Sequence, residues 1–322
     1  MVIDFSKKYD LNFLPSISIS SAIGLLAKPA DQESMLEKTY NKHYNNPASE
    51  YYHLTKEQIK QIWENKGAAS RHYGSLLDDY IGIKLTGSKD DLEMYMLDND
   101  MEGDDRLKGL LSSFDNFYAR LMKSGDMEFI DREQTLYYQL PNPKYEELIG
   151  QSLDFANEPK KLNYCIKGRF DALFRNKRNG KWVIIDWKSS KSIDSTNIWE
   201  KMLGPCKTMD NCNHNTYTIQ GYFYKTALLD GYLPEGTAEE DVEFLIVQLP
   251  GFTIPGTNDN FKIWKPAFKY DRNFMNRLFD FAIKKNELLK KKTEEEAKAK
   301  EVEQKQAEQN TQQQNNEEEF TF

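Results

Sequence analysis

Apolar and polar residues alternate over 162–175. Leu162, Tyr164, Ile166, Gly168, Phe170, Ala172 and Phe174 interleave with Asn163, Cys165, Lys167, Arg169, Asp171, Leu173 and Arg175. A period of two is the pattern of a half-buried strand, and it sets Asp171 on the more polar face. The apolar run Trp182-Val183-Ile184-Ile185 predicts a second strand, which ends in Asp186-Trp187-Lys188. Between them the polar residues 176–181, with Asn179-Gly180 near their end, predict a turn and hence an antiparallel hairpin. That pairing brings Asp171 beside Asp186. Side chains two apart on a strand share a face, so Asp186 and Lys188 project together while Trp187 points away. A further strand is read at 242–249, ended by Pro250-Gly251.

Periods near 3.6 mark the helices. Residues 55–65 carry Ile59, Ile62 and Trp63 on one face, behind a Thr55 cap with Gln58 three later. Residues 68–81 read as the next helix, and the Ser-rich, apolar 16–28 as the start of the first. In 107–122, Leu110, Leu111, Phe114, Phe117, Tyr118 and Leu121 recur at helical intervals, a stripe expected to pack in the core. Residues 194–202 read as a short helix or loop whose Trp199 is buried by default, with stacking on a substrate base as the alternative. Phe274, Leu278, Phe281, Ala282, Leu288 and Leu289 make an amphipathic C-terminal helix. The order helix, strands, helix, strand is that of an α/β sandwich around a mixed sheet.

Two carboxylates held side by side repel unless a cation lies between them. Oxygen-only ligands with open positions suit Mg2+ or Mn2+. The metal is thus an inference from charge.

Three segments together, Gly168-Arg169-Phe170-Asp171, Ile185-Asp186-Trp187-Lys188-Ser189-Ser190 and Gln220-Gly221-Tyr222-Phe223-Tyr224, resemble the RecB-like exonucleases of the PD-(D/E)xK superfamily. In that group a Gly-x-x-Asp strand, an Asp-x-Lys strand and a Gln-x-x-x-Tyr helix follow in this order. The resemblance is strongest over 133–229 and weaker over 16–81. It implies a restriction-endonuclease-like α/β core, a mixed central sheet flanked by helices, that hydrolyses DNA phosphodiester bonds to leave a 5′-phosphate. It also implies that Asp171, Asp186 and the backbone carbonyl of Trp187 bind the metal and that Lys188 orients or activates the attacking water. Gln220 and Tyr224, one helical turn apart, would face the site together.

Many members carry a histidine ligand four residues after the glycine of a Gly-Thr-x-x-His motif. Here the stretch reads Gly74-Ser75-Leu76-Leu77-Asp78-Asp79. Asp78 stands at the histidine position, and His72, before the glycine, is out of register; Asp78, His72 or neither completes the site. Glu133 falls where the family often has a glutamate, and equally reads as a surface ion-pair partner of Arg132 or a lysine.

The 322 residues, 39% hydrophobic, suit one main domain. Residues 1–130 form its helical N-terminal part, 131–289 the core with the C-terminal helix, and 290–322 a tail. A formal net charge of −8 argues against a polyanionic partner on the sum alone. Locally, Lys167, Arg169, Arg175, Lys177, Arg178, Lys181, Lys188 and Lys191 are read as concentrating around the proposed site. The acidic stretch 88–105 reads as a solvated linker or helix edge.

Only Cys165, Cys206 and Cys212 are present, and none follows Tyr224, so an iron–sulfur cluster built in the family's way is not expected. Cys206, Cys212 and His214 are spaced too irregularly for a good zinc site. The odd thiol count suits a reducing compartment. With no apolar run near eighteen residues and no signal-like N-terminus, a soluble cytoplasmic protein without a membrane partner is expected, in the host cytoplasm if phage-encoded.

From Lys290 the chain turns to Lys, Glu, Ala, Gln and Asn, and beyond Gln304 a disordered tail is expected. Its tip, Glu317-Glu318-Glu319-Phe320-Thr321-Phe322, is similar in style to the acidic, Phe-ended tip of bacterial single-stranded-DNA-binding proteins. It reads as an inert solubilising end, or as a site where a replication or recombination protein docks on Glu317, Glu318, Glu319, Phe320 and Phe322.

Three functions compete: a metal-dependent DNA exonuclease of replication, recombination or repair, a nuclease-fold module that binds DNA without cutting, and a recruitment protein acting through its tip. The first is favoured because Asp171, Asp186 and Lys188 are all present. No Gly-x-x-x-x-Gly-Lys-Ser/Thr motif occurs, so any motor belongs to a partner.

Overall fold

A computed structural model describes Ile3, Phe5 and residues 16–29, 31–101, 103–140 and 165–319, with side chains as far as Val302. Its strands fall into two sheets. Strands β1 (Ser16–Ser18), β3 (Thr135–Gln139) and β4 (Cys165–Arg169) form the smaller, in the order β1-β4-β3. The larger has the order β2-β5-β6-β7-β8, from β2 (Met127–Arg132), β5 (Ala172–Asn176), β6 (Trp182–Lys188), β7 (Val242–Gln248) and β8 (Lys262–Trp264). The β6–β7 pair is parallel and the others in this sheet are antiparallel, so the sheet is mixed.

The hairpin predicted from the alternation is present as β5–β6, but its first strand is not one strand. The chain breaks at Phe170 and Asp171, and β4 and β5 belong to different sheets. Strand pairing runs without slip through the break: Thr135 pairs with Arg169 and Arg132 with Ala172, three residues on along each strand. Residues 127–139 and 165–176 are therefore one two-stranded ribbon, creased where Glu133 and Gln134 face Asp171 and Phe170.

Tertiary contact makes the crease. At Gly168 a Cβ would lie 2.6 Å from Phe223 and 2.8 Å from Ile19, so only glycine lets the helix behind it come this close. Glu133 adopts φ 52°, unusual for a residue with a side chain, and its N–H donates to the Phe170 carbonyl at 3.0 Å.

Helices cover both faces of the large sheet. Leu173, Ile184, Phe244 and Ile246 pack with α1 (Ile19–Gly24), α6 (Asn213–Leu229) and the first turns of α7 (Arg272–Glu319). Ala172, Phe174, Val183, Ile185, Trp187 and Val247 pack with α3 (Lys56–Thr86) and α5 (Asp105–Met122). Strands buried on both sides need no alternation. Leu173, set by the period-two reading on the polar face, is accordingly in the core.

The two helices read at 55–65 and 68–81 are a single α3, started by a Thr55–Gln58 capping box and running on past Gly67. The stripe on α5 is core, with Leu107, Leu110, Leu111, Phe114 and Phe117 buried. Two helices escape the periodicity reading. Gln32–His43 (α2) and Lys89–Asp98 (α4) bury no residue fully; α4 takes up much of the acidic stretch and lays Leu92, Tyr95 and Met96, half-buried, against the core. Helix α7 continues to Glu319, past the point where composition predicts disorder; Lys, Glu, Ala and Gln are all strong helix formers. Phe320 and Phe322 lie outside the described residues, as do the strand positions Leu162 to Tyr164. Among the described residues no helix is long and apolar enough to cross a membrane.

Candidate active site at the crease

Asp186 occupies the last turn of pleat in β6, on the α6 face, and is fully buried. Its Oδ1 has no hydrogen-bond partner among the described residues, and its Oδ2 meets the ammonium of Lys188 at 2.6 Å. The period-two geometry of the strand delivers this pair directly. Lys188 also lies over the ring of Tyr217, 4.7 Å from its centroid. Burial works against the ammonium, but Asp186 and Asp171 outweigh it and lift its pKa to about 12. Lys188 is thus a firmly charged donor.

Asp171 sits at the crease, flanked in register by Asp186 on one side and Glu133 on the other. Its Oδ2 accepts the Trp187 N–H at 2.7 Å, which fixes the carboxylate against the end of β6. Burial, and next the neighbouring Asp186, push its carboxyl up to about 8. Burial likewise raises Asp186, against the pull of Lys188.

Asp171 and Lys188 line a cavity of about 260 Å³, and Asp186 is buried behind them. The far wall of the cavity is α3, where Gly74, Leu77, Asp78 and Ile81 recur at helical spacing on one face. Glu133, Arg169, Asp171, Trp187, Lys188 and Ser189 complete the lining. Asp78, at the family's histidine position, therefore faces the same space as Asp171. It is engaged by Arg132, whose Nη2 lies 3.1 Å from Oδ1 and whose Nη1 donates to the Asp78 carbonyl at 3.2 Å. Burial raises its pKa despite that guanidinium. Arg132 reaches across because residue 82 is glycine: a Cβ there would fall 1.6 Å from Nη1.

Glu133 makes the ion pair read for it with Arg132, at 3.4 Å, bridges to Arg169 at 3.2 Å, and lines the cavity. His72 is exposed, touches the ring of Tyr73 and takes no part in the lining.

Gln220 and Tyr224 meet as their spacing predicts, Gln220 Nε2 donating to the Tyr224 hydroxyl at 2.8 Å. That hydroxyl donates in turn to the Arg169 carbonyl at 2.7 Å. Tyr224 is buried, and burial first, then the nearby Asp186 and Asp171, raise the pKa of its hydroxyl. Neither it nor Gln220 lines the cavity, and nor does Asp186. Helix α6 is buried nearly all round and packs on β4 at Gly168.

The eight cations do not form one cluster. Of them only Arg169 and Lys188 line the cavity. Lys177, Arg178 and Lys181 lie at the turn, a strand of about 17 Å away, where Lys181 pairs with Glu243. Arg175 lies over Trp182. Trp199, expected to be buried, is 90% exposed. Cys206 is buried in the core, Cys212 caps α6, and His214 Nε2 bonds the Lys265 carbonyl.

The sequence marks Arg132 only as a partner of Glu133, and nothing in it signals the contact with Asp78. Tyr217 escaped the sequence reading, although it lies one turn before Gln220 on the same helix.

Among the described residues no three His, Cys, Asp or Glu side chains converge closely enough to hold a metal by themselves. Two carboxylates do stand together, with an unpartnered buried Oδ1 on Asp186 and a raised carboxyl on Asp171. That donor set fits an oxygen-ligated divalent cation completed by backbone carbonyl and water. No family model matches the chain, and no curated protein matches it.

Proposed function

We propose that the chain is a divalent-metal-dependent DNA exonuclease, a RecB-like member of the PD-(D/E)xK superfamily acting in replication, recombination or repair. The observation that carries the reading is that Asp171 and Asp186 stand side by side just beyond the Ala172–Ile185 pair, with Lys188 2.6 Å from Asp186 and both Asp171 and Lys188 lining an open cavity. Asp171, Asp186 and the Trp187 carbonyl would hold Mg2+ or Mn2+. When bound, such an ion makes its water more acidic and neutralises charge on the phosphorane-like transition state.

The chain's own residues do the rest. Lys188, on the cavity wall and 2.6 Å from Asp186, orients or activates the attacking water or donates to a non-bridging phosphate oxygen. Arg169, at the cavity mouth, meets the next phosphate. Tyr224 and Gln220 hold the Arg169 carbonyl and with it the crease that aims Asp171.

A second reading, a nuclease-fold module that binds DNA without cutting, is favoured by one feature: Asp78 is tied to Arg132, which leaves two carboxylates for the ion.

The test is digestion of end-labelled linear and circular DNA, single and double stranded, with Mg2+ or Mn2+. Linear DNA should be lost and circles survive, and Asp186→Ala and Lys188→Ala should each lower the rate by roughly 10³-fold. Binding by the wild type without any cleavage would establish the second reading.

A further inference from the structure

The loop that carries the chain from β6 to α6 builds a second surface. At its outer edge Ile198 and Trp199 are 78% and 90% exposed, and Trp199 is the most exposed of the large apolar side chains described. Among the described residues no ring packs on the indole.

Its backbone, by contrast, is held firmly. Asn197 donates its N–H to Asp210 at 3.1 Å and its Nδ2 to the Asn211 carbonyl at 2.8 Å, and its Oδ1 accepts the N–H groups of Trp199 and Glu200 at 3.1 and 3.2 Å. Lys201 and Asp210 form a bridge and an ion pair just beyond. A fixed loop that presents an unpartnered indole is a platform.

Beside the indole lies a cavity of about 410 Å³, whose polar lining includes Asp194, Thr196, Asn197, Asn211 and Asn213. No lysine or arginine lines it, and Asp194 is the acidic residue in its lining. A phosphate seated inside would meet repulsion, so the backbone of a bound strand must run outside the cavity, and an apolar peptide would strip water from Thr196 and Asn213 without replacing it. An unpaired nucleobase offers what both parts need: a flat face for the indole, and an edge of donors and acceptors for Thr196 and Asn213, whose side chains the loop's own hydrogen bonds leave free.

The platform is continuous with the catalytic end of β6. The Asp194 carbonyl accepts the His214 N–H at 3.0 Å, and Tyr217, the next residue on that face of α6, carries Lys188 over its ring.

We propose that Trp199, with Ile198, stacks on an unpaired base at the end of the DNA, so that the substrate is a single-stranded or frayed end. This assignment rests on the nuclease reading for its substrate class.

Binding of a labelled 12-nucleotide oligothymidylate to the full chain in EDTA tests it without chemistry. Trp199→Ala should weaken binding by roughly 5- to 150-fold, the effect of losing one stacked base, and Trp199→Phe should recover most of it. An abasic terminal residue should weaken the wild type in the same way and leave Trp199→Ala unchanged.

Equal binding by wild type and Trp199→Ala, or no binding by the wild type, overturns the platform. The exposed position makes misfolding of the variants a minor concern, and far-ultraviolet circular dichroism checks it. The two ideas fail separately. Metal-dependent cleavage with unchanged Trp199→Ala binding leaves the nuclease and removes the platform, whereas weakened Trp199→Ala binding without any cleavage does the reverse.

Discussion

At the turn end of the β5–β6 hairpin, Lys181 meets Glu243 in contact with water. At the open end, Lys188 meets Asp186 where the carboxylate has no exposure at all. Both are lysine–carboxylate pairs on β6 or its flank, and their surroundings make them different objects. Water screens the first pair and would solvate either partner alone, so it does little for the fold. In the second the carboxylate has been stripped of water, so its charge depends on Lys188, which in turn faces whatever enters the cavity. The hairpin keeps its inexpensive charges at one end and its consequential ones at the other.

The sharpest break of this contrast is Lys188→Ala. It leaves Asp186 buried without a counter-charge, a change of about 3–5 kcal/mol for buried pairs, to be read by chemical denaturation at pH 8 without metal. The loss should shrink as pH falls and Asp186 protonates. An unchanged midpoint at pH 8 would mean that the pair is not coupled as described.

Next comes pH itself. Asp171 has its carboxyl raised to about 8 from an ordinary 3.8. Between those values the folded chain keeps a proton that the unfolded chain has lost, so the metal-free protein should lose stability as pH rises from about 4 to 8 and level off above. Millimolar Mg2+ or Mn2+ should restore Tm most at the alkaline end, because an ion that binds only the folded state stabilises it. A flat metal-free Tm across that range would count against the raised carboxyl.

A smaller effect is expected behind the crease. Tyr224→Phe removes a hydroxyl that joins Gln220 to the Arg169 carbonyl, at about 1–3 kcal/mol for buried groups left unsatisfied. If the hydroxyl positions Asp171, kcat should fall with KM little changed, and Gln220→Ala should give a weaker version of the same split. At the bottom of the scale, Lys181→Ala should alter neither Tm nor hydrolysis measurably.

Strand geometry made much of the site legible in the sequence. Asp186 and Lys188 share a face because they are two apart, and the Asn-Gly turn brings Asp171 beside them. What escaped depends on contacts from far along the chain. The split of β4 from β5 follows from α6 pressing on Gly168 and from the left-handed Glu133 opposite. The burial of Leu173 follows from α6 and its neighbours closing one face of the sheet while α3 and α5 close the other. Asp78 was identified by position, but its engagement by Arg132 required the contact across Gly82. Trp187 pointing away from Asp186 was readable, whereas its packing against Phe114 and Phe117, at 5.5 and 5.7 Å, was not. Trp199 ran against a default that holds for tryptophan in general and fails on a loop whose own hydrogen bonds hold it out.

The parallel pairing of β1 with β4 has a consequence in time. Ser16 takes Cys165 as its partner, so on a ribosome adding about 5–20 residues per second the first strand waits roughly 7–30 s before its neighbour exists. Helices α3 and α5 can form meanwhile from local contacts, but the small sheet cannot close until the chain has passed the crease. Asp171 is therefore set in place late, by the same event that ends the exposure of the earliest strand.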